Sequence, residues 1–296
     1  MSLATRPRTE SAPMAARTAH SVPRPERKRR HRTRIGRIVR MTRFELAMIF
    51  KQKVALMSVL LAPATAIGIA SFSKPTTPGA WHSLTASMTI LVLIMAVYTT
   101  TTSAVVSRRE SQVFKRFRTS ELLPRQMMIS LAMPYVLVGL AQVAILTTAY
   151  HLMGAPMPQQ PLLFGAVVLV TTVMSVVAGF ATASLTTNSE RVQFGVMPVM
   201  MLGLVTSIMV LNPGMSDELR TGVLLAPYAA ASNLCARFLG VDGQVFAQPG
   251  FVSDLTEKVG VSANTFMTGY DIAVTALWFV IFTAIARKAW RWEPRG

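Results

Sequence analysis

The chain has 296 residues and a net charge of +17, yet 51% of its residues are hydrophobic and only 15% are charged. Ordinary soluble domains carry about 25% charged residues, so this composition excludes a typical soluble protein. The single cysteine, Cys235, excludes an intrachain disulfide framework, and the four scattered histidines form no pair at metal-ligand spacing. We therefore predict neither a metal site nor a cofactor in this chain.

The N-terminal region combines a basic tail with an amphipathic segment. Residues 1–34 are rich in Ala, Pro, Arg, Ser and Thr and have no apolar face to bury, so we predict a disordered basic tail. Residues 35–50 place apolar side chains on one helical face and arginines on another. This pattern predicts an amphipathic helix that lies in the headgroup layer of a membrane.

Apolar stretches follow the amphipathic segment. A helix that crosses a bilayer needs about 20 mostly apolar residues. We predict an all-α integral membrane protein in which residues 35–296 form one transmembrane domain. Its six predicted transmembrane helices, or spans, are residues 54–72, 84–106, 131–152, 162–185, 192–211 and 270–286.

The positive charges indicate how these spans are oriented. All but four of the 30 Lys and Arg lie in the N-terminal tail, in the second or fourth loop between spans, or in the C-terminal tail. With six spans these segments share one side of the membrane, and Lys and Arg prefer the cytosolic side. We predict that both termini are cytosolic and that the basic segments contact membrane lipids rather than nucleic acid.

Two features inside the spans leave alternatives open. Small residues at four-residue spacing let helices approach closely, either within the chain or between subunits. Such residues are Ala62, Ala66 and Ala70 in the first span and Ser175, Gly179 and Ala183 in the fourth. Residues 98–103 all carry a hydroxyl group and give the second span a polar patch, which faces either a transport path or a partner helix.

The second loop, residues 108–125, is the most charged internal segment on the predicted cytosolic side. Its length suits a short surface helix, on which Phe114 and Phe117 are adjacent and costly to leave in water. This pattern favours a docking surface for a soluble partner over a solvated loop that serves topology alone. The predicted contact residues are Arg108, Arg109, Glu110, Phe114, Lys115, Arg116, Phe117 and Arg118, with a second contact at Glu190 and Arg191.

The long segment between the fifth and sixth spans, residues 212–269, lies on the predicted external side. Residues 222–239 are apolar but are interrupted by Pro227 and by polar Ser232 and Asn233. We predict a re-entrant or interfacial helix pair, because a seventh span would move the basic C-terminal tail outside.

Motifs for catalysis are absent from the sequence. It contains no GxSxG, no HExxH and no phosphate-binding GxxxxGK[ST] loop, so we predict that the chain is not an enzyme. Asp271, at the external lip of the last span, is the one charged candidate within the bilayer interior. We interpret Asp271 as a helix-start residue near the positive end of the helix dipole rather than as a proton relay.

Arg109, Glu110, Lys115, Arg116 and Arg118 form a basic-Glu-basic stretch after the second span. Pro227, Arg237 and Gly240 form a Pro, Arg and Gly pattern in the predicted external segment. In these motifs and their order, the chain from residue 35 to residue 296 resembles the permeases of the ABC-2 type exporter family, in which both patterns occur. The ending at residues 291–295 is similar to tails in its actinobacterial drug- and antibiotic-exporter branch. Ser111 and Ser120 depart from the usual Gly and Pro, so the docking surface differs.

The resemblance implies a fold and a mechanism. It implies an N-terminal elbow helix, six spans, a cytosolic coupling helix, external re-entrant helices and a bacterial plasma membrane. ATP and magnesium would bind to a separate ATPase subunit, and two permeases, identical or sister chains, would pair. The substrate expected from the resemblance is an amphipathic or hydrophobic drug, secondary metabolite or lipid-like molecule that leaves the cell.

Two other functions remain as alternatives. An ion-coupled secondary transporter is disfavoured because the predicted spans hold almost no charge and no inverted repeat is visible. A membrane-embedded enzyme or assembly factor is disfavoured because the spans hold no convergent polar residues.

Overall fold

The computed structural model of the chain describes residues 34–51, 53–112, 124–212, 214–240 and 262–290, and the single residues 252, 256, 258 and 260. Every regular element within these residues is helical, and none of them forms a β-strand. The α-helices are α1 (Arg34–Lys51), α2 (Lys53–Ser73), α3 (Pro78–Val92), α4 (Thr99–Glu110), α5 (Pro124–Leu152), α6 (Pro161–Leu185), α7 (Val192–Met209), α8 (Asp217–Leu224), α9 (Ala229–Leu239) and α10 (Ala263–Ala289).

Within the described part of the chain, five helical stretches are long and apolar enough to cross a membrane by length and composition. They are Pro78–Glu110, Gln126–Leu152, Pro161–Leu185, Ser189–Met209 and Ala263–Ala289. In this order they contain the second to the sixth predicted spans, except for the last two residues of the fifth. Helices suit this environment because they satisfy their own backbone hydrogen bonds, which lipid cannot do. The predicted all-α integral membrane fold is confirmed.

The remaining two apolar segments differ from simple spans. The first predicted span lies in α2, whose stretch Val59–Ser73 is apolar but shorter than a full crossing. Helices α8 and α9 together are apolar enough to form a sixth span, but they meet at an angle of 105°. This bent pair occupies the position of the predicted re-entrant helices.

α1 covers the predicted amphipathic segment and packs against α5. Ile49 is buried, whereas Phe44 and Phe50 remain exposed on a helix that carries exposed Arg40 and Arg43. Exposed aromatic rings beside basic side chains are typical of a helix that lies along a membrane surface.

The second span forms the centre of the bundle. A π-helical stretch, Leu93–Tyr98, joins α3 to α4 without a break, so that the helix continues for 33 residues. At 1.5 Å per residue it is about 50 Å long, which exceeds the hydrocarbon core of a bilayer. Ile90, Leu93 and Val97 are fully buried because α2, α5, α6, α7 and α9 all pack against this helix.

Both ridges of small residues pack within the chain. A Cβ atom added at Gly179 of α6 would lie 2.9 Å from Cβ of Thr101, so α6 and α4 are in close contact there. Ala66 of α2 is fully buried, and its carbonyl oxygen accepts a hydrogen bond from the Tyr150 hydroxyl of α5 at 2.7 Å. The ridges therefore serve intramolecular packing.

Five of the six hydroxyl groups of residues 98–103 have hydrogen-bond partners inside the protein, and Oγ1 of Thr101 is buried without one among the described residues. The Tyr98 hydroxyl lies 2.9 Å from Oγ1 of Thr182 in α6 and donates to the Val196 carbonyl of α7 at 3.4 Å. Thr102 donates to the Tyr98 carbonyl at 2.8 Å. Of the two alternatives, the contacts of Tyr98 with α6 and α7 favour a partner helix, which is supplied by the same chain.

Candidate functional site

The end of α4 brings charged residues of α1 and α4 together beside the backbone of residues 183–189. We call Glu45, Arg108, Arg109 and Glu110 the α4 junction. The Arg108 guanidinium forms an ion pair with Glu45 of α1, and both side chains are largely buried. Burial raises the pKa of Glu45 above its ordinary value, and the charge and hydrogen bond of Arg108 partly oppose that rise. This pair fastens the surface helix α1 to the end of the central span.

Arg109 caps the C-terminus of α6. Its guanidinium donates to the carbonyl oxygen of Ala183 at 2.9 Å, to that of Thr186, and to that of Thr187 at 3.4 Å. The last carbonyls of a helix have no partner within the helix, and a cation at that end also faces the negative end of the helix dipole. The Arg109 side chain is therefore a structural link between α4 and α6.

The burial of Arg109 corrects its predicted role as a docking contact. Only 2% of the residue is exposed, so its guanidinium is out of reach of a soluble partner. Sequence reasoning missed this because the carbonyls it binds lie more than 70 positions further along the chain. Arg108 and Arg109 also belong to the last turn of α4, rather than to the start of a separate surface helix as predicted.

Glu110 connects α4 to the loop between α6 and α7. Its Oε1 atom accepts a hydrogen bond from the backbone nitrogen of Ser189 at 2.7 Å. Ser189 begins a short 3-10 turn that ends at Arg191, and the Asn188 side chain caps this turn. Glu190 and Arg191 are exposed on the turn, so both predicted second-contact residues lie at the surface beside the junction.

The rest of the predicted docking stretch continues directly from the α4 junction. After Glu110 the chain turns through Ser111 and Gln112, and Gln112 has a left-handed backbone with φ of 54°. The predicted contacts Phe114, Lys115, Arg116, Phe117 and Arg118 lie outside the described residues.

A second polar cluster lies between α9 and α10. We call Asn233, Arg237, Asn264 and Asp271 the α9–α10 cluster. Oδ2 of Asp271 accepts a hydrogen bond from Asn233 at 2.7 Å and lies 3.4 Å from Nε of Arg237. Arg237 also donates to Oδ1 of Asn264 at 2.6 Å. Oδ2 of the buried Asp271 thus faces a cation and an amide donor, which offsets part of the cost of removing a carboxyl group from water.

This cluster corrects the interpretation of Asp271 as a helix-start residue. α10 begins at Ala263, so Asp271 lies two turns inside the helix, and it is fully buried. The sequence pattern indicated a start near residue 270 because the strongly apolar stretch begins there. The true start is set by Ser262, whose hydroxyl accepts from the backbone nitrogen of Thr265 at 3.4 Å.

Pro227, Arg237 and Gly240, predicted from the external motif, occupy three distinct positions of the bent pair. Pro227 lies at the bend, where the following residue, Tyr228, has a left-handed backbone with φ of 69°. Arg237 belongs to the α9–α10 cluster. Gly240 ends α9 with φ of 114°, a conformation that glycine adopts without strain, and the Gln159 side chain packs against it.

Some residues of the two polar clusters were not predicted as site residues, although the sequence contained weak signals for them. Glu45 is the single acidic residue among the basic residues of α1, and a lone acid there indicates a cationic partner. Asn233 is a polar interruption of the apolar stretch at residues 222–239, whereas nothing in the sequence pattern marks Asn264. Among the described residues, no group of three or more His, Cys, Asp or Glu side chains is arranged to hold a metal ion.

Comparison with known families assigns the fold. A model of the ABC-2 family transporter proteins matches residues 44–288, a range that includes both polar clusters and every span. The chain belongs to the ABC-2 transporter family. This ABC-2 protein is therefore an ABC transporter permease, and membership implies that an ABC ATPase subunit is its partner. A comparison with curated proteins finds no match.

Proposed function

We propose that this permease is the membrane subunit of an ATP-driven exporter for an amphipathic or hydrophobic substrate, such as a drug, a secondary metabolite or a lipid-like molecule. A separate ATPase subunit binds ATP and magnesium and supplies the energy. Two permeases pair, either as identical copies or with a sister chain. The complex lies in a bacterial plasma membrane with both permease termini in the cytosol.

The observation that carries this proposal is the position of the α4 junction. It lies at the end of the central span and immediately before the basic, aromatic stretch at residues 113–118. Arg108 links this end to α1, Arg109 links it to α6, and Glu110 links it to the loop before α7. A partner that displaces the stretch therefore pulls on three further segments of the bundle.

The geometry supports a lever mechanism. α3 and α4 form one helix of 33 residues, so a displacement at Glu110 is passed along its length toward Pro78. At the far half of the bundle, α9 packs against both α3 and α10. ATP-dependent closure of the partner biases the equilibrium between two arrangements of this bundle, which is what coupling requires.

An ion-coupled secondary transporter is the second candidate, and Asp271 is the observation that favours it. A buried carboxylate within a spanning helix is a common feature of proton and ion pathways. In this chain Arg237 and Asn233 hold that carboxylate, which also suits a purely structural role.

The test is co-purification with the ATPase subunits encoded in the same genome. The full-length permease in detergent is compared with an Arg116→Glu/Arg118→Glu variant. The matched control is Lys74→Glu/Lys258→Glu, which reverses two charges on the predicted external side. We expect the wild type and the control to retain an ATPase and the docking variant to lose it. Loss in the control as well would mean that bulk charge, rather than docking, is responsible.

The rival mechanism is tested with the same preparation in nanodiscs. We expect ATP hydrolysis by the retained ATPase to change on addition of wild-type permease and to be unaffected by addition of the docking variant. If none of the ATPases binds, and an Asp271→Asn variant abolishes substrate movement driven by a proton gradient in vesicles, the exporter proposal is wrong.

A further inference from the structure

An apolar groove opens on the side of the bundle between α5, α6 and α10. Its volume is about 440 Å³. Ile129 and Ala132 of α5, Val173, Val177 and Phe180 of α6, and Ala286 of α10 line it. The groove is therefore a hydrophobic slot between three membrane-capable helices.

One end of the groove is cationic. Arg287, in the last turn of α10, lines the groove together with Thr283, which lies one helical turn earlier on the same face. Among the described residues no carboxylate lies within 4 Å of the Arg287 guanidinium. Oγ1 of Thr283 is buried without a hydrogen-bond partner in the described part of the chain. The end of the slot thus presents the Arg287 guanidinium to an acceptor from outside, and the Thr283 hydroxyl lies beneath the surface one turn away.

The same end lies at the level of a membrane interface. The Trp290 ring packs edge to face against Phe180 with ring centroids 5.8 Å apart, and tryptophan prefers the headgroup level. Phe180 belongs to the final turns of α6, the helix whose end Arg109 caps. Arg287 therefore lies at the basic end of the bundle, where anionic headgroups are attracted.

The length of the groove fits one leaflet. At Val173 it adjoins a second apolar groove of about 690 Å³ that continues between α6 and α10 past Leu169. From Phe180 to Leu169 the path along α6 is about 17 Å, from a rise of 1.5 Å per residue. Half of a hydrocarbon core is about 15 Å. An acyl chain whose headgroup lies at Arg287 therefore fits along the slot.

We propose that this groove is a binding site for an anionic phospholipid. The phosphate pairs with Arg287, while one acyl chain lies along α6 between α5 and α10. Charge complementarity selects an anionic lipid over a zwitterionic one, because the cation at the mouth has no described carboxylate beside it. The residues that line the site are not among those predicted to contact the ATPase, and the proposal does not depend on the direction of transport.

The experiment measures lipid retention by the full-length permease. The protein is purified from nanodiscs of phosphatidylcholine containing one quarter phosphatidylglycerol, and retained lipids are counted by native mass spectrometry. Arg287→Gln removes the cation, and Ala132→Phe fills the slot. The matched controls are Lys288→Gln, the neighbouring exposed cation outside the groove, and Ala144→Phe, an exposed position on the same helix α5.

We expect wild type and both controls to retain phosphatidylglycerol in preference to phosphatidylcholine. Arg287→Gln should lower that preference about fivefold, the loss expected for one basic contact with an anionic headgroup. Ala132→Phe should remove the retained lipid of either kind. Equal losses in Lys288→Gln would overturn the proposal in favour of bulk charge. Unchanged retention in both Arg287→Gln and Ala132→Phe, or a second permease copy in place of lipid, would also overturn it.

Discussion

Replacing Arg109 by leucine should destabilise the permease strongly, because the side chain caps α6. The variant removes a buried guanidinium that donates to the carbonyls of Ala183, Thr186 and Thr187. A hydrogen bond to a charged group contributes about 1.5–3 kcal/mol, and a buried carbonyl left without a partner costs about 1–3 kcal/mol. Some of these carbonyls regain water or shift, so we expect a net loss of about 3 kcal/mol in the free energy of unfolding.

The lone cysteine offers the assay for this prediction. Cys235 is fully buried, so a thiol-reactive dye reports unfolding from a single site. A loss of about 3 kcal/mol corresponds to a decrease of about 6–12 °C in the midpoint of thermal unfolding. Arg109→Lys keeps the charge but reaches fewer carbonyls, and about half of that decrease is expected.

The control for Arg109 is an arginine at the same end of the bundle. Arg191 is exposed on the neighbouring turn, and Arg191→Leu should change stability by less than about 0.5 kcal/mol. A midpoint for Arg109→Leu within a degree of wild type would refute the capping argument. Since Arg109 is buried, the surviving folded fraction of the variant should still bind the ATPase, and loss of binding by that fraction would refute its assignment to the interior.

Two further predictions concern helix packing and the buried ion pair, and both use the same thermal assay. Gly179→Ala places a Cβ atom 2.9 Å from Cβ of Thr101 and should lower the free energy of unfolding by about 1–3 kcal/mol. Gly165→Ala in the same helix meets open space and should leave stability unchanged or slightly higher. Equal unfolding midpoints for the two variants would contradict the close contact. Asp271→Leu leaves Arg237 buried without its carboxylate and should cost about 3–5 kcal/mol, most of which the double variant with Arg237→Leu should restore. A double variant that is less stable than Asp271→Leu would show that the pair is not the relevant interaction.

The burial of Arg109 changes how the motif at the end of α4 is interpreted. The sequence presented Arg108, Arg109 and Glu110 as the first part of a docking surface. In the structure each of them binds another segment of the permease. The docking function proposed for this region therefore falls on the residues after Gln112, and the α4 junction transmits their displacement into the bundle.

The membrane fold could be predicted because it depends on local composition. An apolar stretch of about 20 residues forms a helix in lipid whatever its neighbours are, since no other regular structure satisfies an isolated backbone segment there. The bent pair was also predictable, because Pro227 interrupts an apolar stretch that is otherwise long enough to dip into the membrane. The predicted start of the last span was wrong because α10 begins before its apolar stretch, at the point where the Ser262 side chain caps the helix.

The polar contacts could not be predicted, because they join segments that are distant along the chain. Arg109 meets Ala183 after 74 residues, and Asn233 meets Asp271 after 38. Sequence by itself determined which segments are apolar, which side of them is basic and where the helix pair bends. Only the tertiary structure decided that Arg109 lies inside and that Asp271 has a cationic partner, because the energy of a buried charge depends on which groups folding brings within hydrogen-bond distance.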